Sequence, residues 1–598
     1  MKNLNSGKMN RGWLLYALLL VAVLPGFLSL ELKAQSPFEP GQSEKAKVIR
    51  EEVQLFTDRN MYAVNEAIHF VAEHRMEGVP EGSFWSSVLY VELISAEGKA
   101  VEQGKFPLLA GRARGSLKVP LAAISGDYYL KSYTRWMRNQ GSASFAFVPM
   151  KIINPFRSEV LSHASGEMGT DSLSRLSYRE GGLLCTTSSE VYRAGENAEI
   201  IVEGPLPEYL NQINCCLTVV PEGAIDLSGG QYLPSSSGNE EAYKVSFLPD
   251  LGSGVAVSGT VIDANQDPVN SATLHFSLLG DNPDYFAAIS DEFGRFIFTA
   301  PAGLGPQELF VTPQRVNGNP PQVRIDQEFD NQPVSLPKEK FHLTEDQQAL
   351  ARRISLNMQL SRAFNTGTAG QELLQSVSVS ETARGKDIPF YGSRVKQLKI
   401  DDYVRLPNLE EVFINLVPDV QFYKKKGETQ IRILSENASI GVFEPLVMVD
   451  HISVFNHEAV LALTPDKIER IDLINEVYLK GNVAFGGVLA IYSKKGDMAG
   501  IDLPEGSYFF DYHSFYPATL TEGPDIGGTE HAQSDRIPDT RNTFCWKSDL
   551  QLFKDKQLKI PFVAPETPGD YVVVVRGLDP RGEVLSSIAR FRVEKDQK

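Results

Sequence analysis

The sequence predicts a multi-domain, mostly β protein in which tandem β-sandwiches accompany one α+β unit. Three observations carry that expectation. Short apolar–polar alternations broken by Gly and Pro recur along most of the 598 residues, the pattern of half-buried strands. A turn sequence near residue 60 returns near residue 190, so one supersecondary unit is used twice. Gly 48, Pro 35, Tyr 21 and Phe 32 add turn formers and strand formers in quantity. The length calls for several domains, and 42% hydrophobic with 22% charged residues supplies several packed cores. A net charge of −17 without a basic stripe argues against nucleic-acid binding, which must neutralise phosphates.

Taken in order, Lys2, Lys8 and Arg11 precede the apolar run from Trp13 to Leu30, and Lys33-Ala34-Gln35 follows. This is the charge–apolar–small order of a signal peptide over residues 1–34, cleaved after Ala34. A retained anchor is the alternative, since the run is nearly long enough to span a bilayer; Pro25-Gly26 near its end favours cleavage. No second run of about 18 apolar residues follows, so the mature chain is expected to be soluble or peripheral. Four cysteines are few for an exported chain of this size, and folding should rest on cores. Buried free thiols are expected, with one bridge from Cys185 to Cys215 or Cys216 as the alternative.

Residues 45–155 form the first expected sandwich, with strands such as Val88–Leu93 and Asp127–Tyr133. Its opening, Phe56-Thr57-Asp58-Arg59-Asn60-Met61-Tyr62-Ala63-Val64-Asn65-Glu66, resembles the entry to a macroglobulin MG2 domain. Tyr133-Thr134-Arg135-Trp136-Met137-Arg138-Asn139 is similar to bacterial envelope proteins of that kind. The entry returns as Thr187–Glu196 at an offset of 130, pairing Tyr62 with Tyr192 and Glu66 with Glu196. A second macroglobulin-like domain is therefore expected over 176–222, extending at most to 250. In both copies Tyr closes a strand, Asn65 or Gly195 makes the turn, and Glu starts the next strand.

Residues 222–252, rich in Gly, Ser and Pro, read as a linker. Val257–Asp263, Asp267–Leu274 and Ser290–Phe298 then resemble a carboxypeptidase regulatory-like domain over 254–340, a prealbumin-type sandwich with Phe296 and Phe298 in its core. The peptidase chemistry belongs to a separate zinc domain and is not implied. Thr344-Glu345-Asp346-Gln347 is a capping box opening a helix over 344–364, with Leu350, Ile354, Met358 and either Leu360 or Ala363 on one face. A mobile stretch to about Gly392 is expected next. A last macroglobulin or Ig-like sandwich is expected over 505–598, with strands at Gly569–Leu578 and Ala589–Val593.

Between these, 395–498 reads as α+β, with a helix at Pro407–Leu416 and a strand at Gln430–Leu434. Pro445–Asp450, Leu463–Asp472, Tyr478–Gly481 and Phe485–Lys494 together resemble the plug domain of TonB-dependent receptors: a strand ending in Asp, a Pro-initiated Ile-Glu-Arg-Ile segment, and a Gly-Gly-Val strand. The chain departs from that pattern at His451-Ile452, where the family has Gly and an apolar residue. A plug sits in a barrel of about 22 strands, and only 102 residues follow Gly496. The chain is therefore not expected to be a pore by itself. Glu372–Ser380 is similar to the extended segment that such receptors offer to TonB. Val377 and Val379 there are the candidate partner-binding strand, adding to a partner's sheet edge; a plain linker, or pairing within the protein, is the alternative.

No catalytic constellation emerges. The nine His form no H-E-x-x-H, and no nucleophile elbow, Walker A or dinucleotide fingerprint occurs. Ser393-Arg394-Val395-Lys396 is read as a chance S-x-x-K, and Asp281-Asn282-Pro283-Asp284 as a polar turn lacking the rest of a calcium loop. His451 and His457 are read as solvated loop histidines. No Gly-Cys-Gly-Glu-Gln thioester motif is present, which excludes a covalent trap. Cofactors, metals and nucleic acid are not expected. The resemblances together imply an exported, non-enzymatic interaction or scaffold protein of a Gram-negative, Bacteroidota-type envelope, periplasmic or outer-membrane associated. Its partners would be envelope or outer-membrane proteins, TonB-system components among them. A thioester-free macroglobulin-like protease inhibitor is the alternative, and an enzyme with an unrecognised site the third.

Overall fold

The computed structural model describes residues 49–595, except 80–83, 162–172, 176–178, 181, 228–231, 235–244, 251, 253, 280–282, 317, 335, 339, 365–388, 393–394, 426, 437 and 518–538. The chain is mostly β, as its alternation predicts, with strands arranged in several sandwiches and one mixed sheet. The signal segment, Ser393 and the pair Val377 and Val379 lie outside the described residues.

Sandwich I runs through β1 (Arg50–Thr57), β2 (Met61–Ala63), β3 (Ala67–Glu77), β4 (Val88–Ser95), β5 (Ala100–Pro107), β6 (Arg112–Lys118), β7 (Gly126–Thr134) and β8 (Ala146–Ile153). One sheet is β1-β3-β6; the other contains β5-β4-β7-β8, with β2 parallel on β8. The predicted alternation is what closes it: Phe70 and Phe106 meet edge to face at 4.7 Å between the sheets. Every residue of β4 is buried, which requires a neighbour on its outer face as well.

Sandwich II repeats this order, but its strands come from two distant parts of the chain. They are β9 (Leu184–Thr187), β10 (Val191–Arg193), β11 (Asn197–Glu203), β12 (Gln212–Pro221), then β13 (Cys545–Phe553), β14 (Leu558–Val563), β15 (Gly569–Leu578) and β16 (Val584–Glu594). Its sheets are β9-β11-β14 and β13-β12-β15-β16, with β10 parallel on β16. Strand for strand this is sandwich I. The expected domains at 176–222 and 505–598 are thus two halves of one unit. The physical reason is that four strands cannot cover both faces of a core. β12 therefore pairs with β13 (Val219 opposite Cys545) and with β15 (Val219 opposite Val573). The Val572–Val575 run is buried on both sides, alternately in its own core and against sandwich I and the helix.

Everything between β12 and β13 is an insertion. An inserted sandwich uses strands Gly254–Ile262, Thr273–Leu278, Asp284–Ile289, Arg295–Pro301, Pro306–Pro313 and Gln322–Ile325. Phe296 and Phe298 enter its core beside Phe276, at 5.6 and 4.3 Å between ring centres. The range 254–340 omits one member: Tyr508–His513 pairs along 306–311 as an edge strand. The expected linker at 222–252 is tied down at two points, since Tyr232 pairs with Phe147 and Asp250 is fully buried.

Helix α1 (Glu345–Phe364) starts at the predicted capping box. Gln347 N donates to Thr344 Oγ1 at 3.3 Å, and Thr344 N donates back to Gln347 Oε1 at 3.2 Å. Leu350, Ile354 and Met358 are buried with Val220, Val572 and Val574, each contributing about 1.5–3 kcal/mol. Leu360 is half-buried and Ala363 exposed.

The mixed unit has a five-stranded sheet in the order 396–399, 468–474, 488–493, 446–449, 452–453, in which only 446–449 and 488–493 are parallel neighbours. Helix α2 (Leu409–Leu416) is capped by Asn408, whose Oδ1 accepts from Glu411 N at 2.9 Å. The expected strand at 430–434 is Glu428–Ile433, in a hairpin with Val420–Lys425. Helix α3 (His457–Leu461) follows. The mixed unit lies between the strands of the inserted sandwich, which itself lies between the strands of sandwich II.

Candidate functional site

Three buried constructions join these units, and each begins with a local sequence choice. The first is the repeated turn. In sandwich I the Tyr62 hydroxyl donates to Asp58 Oδ1 at 2.6 Å and accepts from Arg59 N at 3.3 Å. The Glu66 carboxylate accepts from Ala63 N at 2.6 Å across Asn65, whose φ is +70°. In sandwich II the Tyr192 hydroxyl bonds Ser188 Oγ at 2.9 Å and Ser189 N at 2.8 Å; Glu196 accepts from Arg193 N at 2.7 Å across Gly195, at φ +71°. Among the described residues, only the first copy reaches a neighbouring unit. Arg59 pairs with Glu66 at 2.9 Å and donates to Thr543 Oγ1 at 3.0 Å. Thr543 donates to Asp58 at 2.5 Å, and Asn542 to Glu66 at 2.7 Å. Around this pin the outer face of β1-β3-β6 packs on β12, β13 and β15, with Phe56 and Val71 against Cys216 and Trp546. Asp549 accepts from Arg112 at 3.2 Å and Arg114 at 2.9 Å. Burial pushes the neighbouring Glu73 carboxyl up to about 7 in spite of Arg112.

The second construction covers the outer face of β4, β5 and β7. Lys131 pairs with Glu92 at 3.0 Å and donates to Asp330 O at 2.9 Å, while the Tyr133 hydroxyl accepts from Asp330 N at 2.7 Å. Tyr90 donates to Asp250 at 3.1 Å. Lys105, 1% exposed, pairs with Glu328 at 2.8 Å, and Glu328 takes a second partner in His513 at 2.8 Å. Burial lowers the Lys105 ammonium, with Glu328 opposing. Burial also pushes Glu328 up, but bonds from His513 and Lys105 outweigh it and hold the carboxyl below its ordinary range. Its hydrogen bond to Glu328 raises His513. Arg138 donates to Gln327 O at 3.1 Å and stacks over Phe247 at 3.9 Å; Arg135 donates to Ser258 Oγ. Paired and bonded charges of this sort fix one mutual arrangement, because removing either partner strands the other in low dielectric.

The third construction closes the sheet of the mixed unit on both faces. Val447, Val449, Ile471, Leu489 and Ile491 meet α2 and α3. The alternate residues Leu446, Met448, Val488 and Ala490 meet Phe390, Phe485 and the inserted sandwich's Tyr285 and Ala287. His275 of that sandwich sits at the contact, its Nδ1 2.6 Å from Tyr285 Oη and 3.1 Å from Ser453 Oγ; burial pushes it down to about 3. Lys480 pairs with Asp284 at 2.9 Å. Gly481, at φ +62°, brings its backbone so close to Ala287 that an added Cβ would stand 2.5 Å from its carbonyl oxygen. Asp450 and His451 both have positive φ, +46° and +70°. The Asp450 carboxylate holds the turn by accepting from Ser493 N at 2.8 Å and Met498 N at 2.8 Å.

Two expected histidine environments are corrected here. His457 is buried, accepts from Ile431 N at 3.0 Å, and is pushed down to about 4 by burial. His451 packs against Phe390 and Tyr492, and its carbonyl accepts from Ser277 Oγ at 2.7 Å. Neither is a solvated loop residue: His451 lies in the turn that contacts the inserted sandwich, and His457 opens α3, which packs on the opposite face of the sheet. Asp284 of the tested acidic turn is engaged by Lys480. All four cysteines are buried free thiols. Burial pushes Cys185 and Cys215 up to about 12, so neither supplies a thiolate near neutral pH. Among the described residues, no three His, Cys, Asp or Glu are placed to hold a metal, and no helix is long and apolar enough to cross a membrane.

No family model and no curated protein matches the chain. Solved structures similar to it include Escherichia coli alpha-2-macroglobulin activated by porcine elastase, at 8% identity over 91% of this chain and 44% of that one, with a TM-score of 0.22. Salmonella alpha-2-macroglobulin reacted with methylamine gives 9% identity, 91% and 39% coverage, and a TM-score of 0.22. Dimeric latent PorU from Porphyromonas gingivalis gives 10%, 46% and 33%, and 0.14. The chain spans less than half the length of these macroglobulins.

Proposed function

We propose that this chain is an exported, non-enzymatic interaction or scaffold protein of a Gram-negative envelope, of Bacteroidota type. It acts beside TonB-dependent outer-membrane transport without being a channel. The observation that supports this most is the doubly closed sheet. A plug domain held in a barrel must present its outer surface to the barrel wall. Here the alternate face of the plug-like sheet is spent on the inserted sandwich, through Tyr285, Ala287 and His275. The unit is held at a fixed place on a frame of macroglobulin-like and regulatory-like sandwiches. Arg59, Lys105, Lys131 and Lys480 serve contacts between units, which suits a protein that presents surfaces. Its partners are envelope or outer-membrane proteins, with TonB-system components the first to seek.

Chemical cross-linking in intact cells, followed by recovery of the full-length protein from the envelope fraction, tests this reading. Recovery of outer-membrane transport proteins is expected. Recovery in the cytoplasmic fraction would overturn it. The alternative of a thioester-free protease inhibitor draws on the two macroglobulin-like sandwiches; stoichiometric slowing of a broad-specificity protease by the purified protein would replace the scaffold reading with that one.

A further inference from the structure

Sandwiches I and II meet through two different faces, the outer face of β1-β3-β6 on one and that of β12, β13 and β15 on the other. A contact between unlike faces can be repeated indefinitely, since each unit carries one face of each kind. Sandwich II carries its own copy of the first face in β9-β11-β14, in the same register at the offset of 130. Ile201 stands where Val71 does, Thr186 where Phe56 does, and Lys559 where Arg114 does. In sandwich I this face is covered, with Phe56 1% and Val71 0% exposed. In sandwich II it is open: Leu184 is 44% exposed, and Thr186, Lys559 and Pro561 are exposed.

Among the described residues, the complementary face is covered in both sandwich I and sandwich II. That of sandwich II is under sandwich I, and that of sandwich I is under the elements carrying Asp250, Phe329 and Asp330. Neither sandwich I nor sandwich II of a second copy therefore offers a free matching face. We infer that β9-β11-β14 docks the outer sheet face of a β-sandwich in another protein, extending the sandwich I–sandwich II stack by one step. The chemistry of that face follows from the internal contact. It has a carboxylate opposite Lys559, as Asp549 stands opposite Arg114, and apolar strand residues over Ile201, as Cys216 and Trp546 pack with Val71 and Phe56. Among the described residues, Lys559 holds an exposed pair with Glu199 at 3.4 Å, which costs little to exchange.

The inference rests on the reading of the chain as an interaction protein, and one experiment separates their failures. A photo-reactive benzophenone amino acid replaces Leu184 in the full-length protein in its own cells; a second version carries it at Leu479, exposed on the mixed unit. The Leu184 probe is expected to give one adduct whose cross-linked peptide maps to a strand of a β-sandwich domain. Ile201→Glu and, separately, Lys559→Glu should each lower that adduct about tenfold or more, the effect of stranding a charge at a packed contact, with the thermal midpoint unchanged. Adducts to lipid or to a helical protein overturn the inference, as does a yield indifferent to both substitutions. Adducts from Leu479 alone overturn it while leaving the interaction reading standing; adducts from neither remove both.

Discussion

The turn at Asp58–Glu66 and its copy at Ser188–Glu196 make the same backbone with different chemistry. Both use a tyrosine hydroxyl to hold the strand entry and a glutamate to receive an N–H across a left-handed residue. In the first copy Asp58 and Arg59 stand where the second has Ser188 and Ser189. The acceptor role survives the exchange: Asp58 Oδ1 takes His69 N at 3.0 Å, and Ser188 Oγ takes Glu199 N at 3.1 Å. Charge is therefore not needed for the turn. It is found in the copy that a neighbouring unit covers, where Thr543 and Asn542 complete the bonds. Fold and assembly are written in the same nine residues, and only the comparison separates them.

The strongest attempt to break this comparison is Arg59→Met. It leaves the buried Asp58 and half-buried Glu66 without their cation and should cost about 3–5 kcal/mol. Ser189→Ala, at the matching exposed site, should stay within about 0.5 kcal/mol. Equal shifts of the two variants in urea unfolding would mean that the charge belongs to the turn after all. Next come Tyr62→Phe and Tyr192→Phe. The first loses a bond to a carboxylate and should cost about 1.5–3 kcal/mol, the second about 0.5–1.5.

A third test uses pH. The Glu73 carboxyl is pushed up to about 7, above its ordinary value near 4.5, so the folded chain holds a proton that the unfolded chain releases. That contribution is fully present below pH 4.5 and is lost as pH rises to 7, at no more than about 1.4 kcal/mol per unit. His275, pushed down to about 3, has the opposite sign: its contribution is present above pH 6.5 and is lost as pH falls towards 3. Glu73→Gln should flatten the downward slope of stability between pH 5 and 7. The smallest effect is expected from Asn65→Gly, within about 0.5 kcal/mol, because Asn tolerates the left-handed region where Gly195 sits; Gly195→Ala should cost about 1 kcal/mol. Thermal unfolding of both variants measures the difference.

What was legible in the sequence was local. The repeat, the capping box at Thr344–Gln347 and the core placement of Phe296 and Phe298 each depend on neighbours a few residues away. The joins were not legible, because Arg59 finds Thr543 and Lys131 finds Asp330 only after folding. Arg135 and Arg138 were visible as part of a familiar string, yet nothing in the string says that they face Ser258 and Gln327. The division of sandwich II left one signal that could have been used: 176–222 supplies four strands where its twin needs eight. His457 misled because its sequence neighbours are polar, while its packing comes from Ile431 on another strand.

The place of the insertion has a consequence in time. β12 ends at Pro221 and its neighbour β13 begins at Cys545, some 320 residues later. At about 5–20 residues per second of synthesis, sandwich I is complete while β12 waits roughly a quarter of a minute to a minute for its partner. During that wait the apolar strand Ile213–Val220 has neither of its hydrogen-bonding neighbours, a template for wrong pairing. A nascent chain that folds as it is made therefore passes through a half-sandwich whose edge must be shielded, unless folding waits until the last strand has been made.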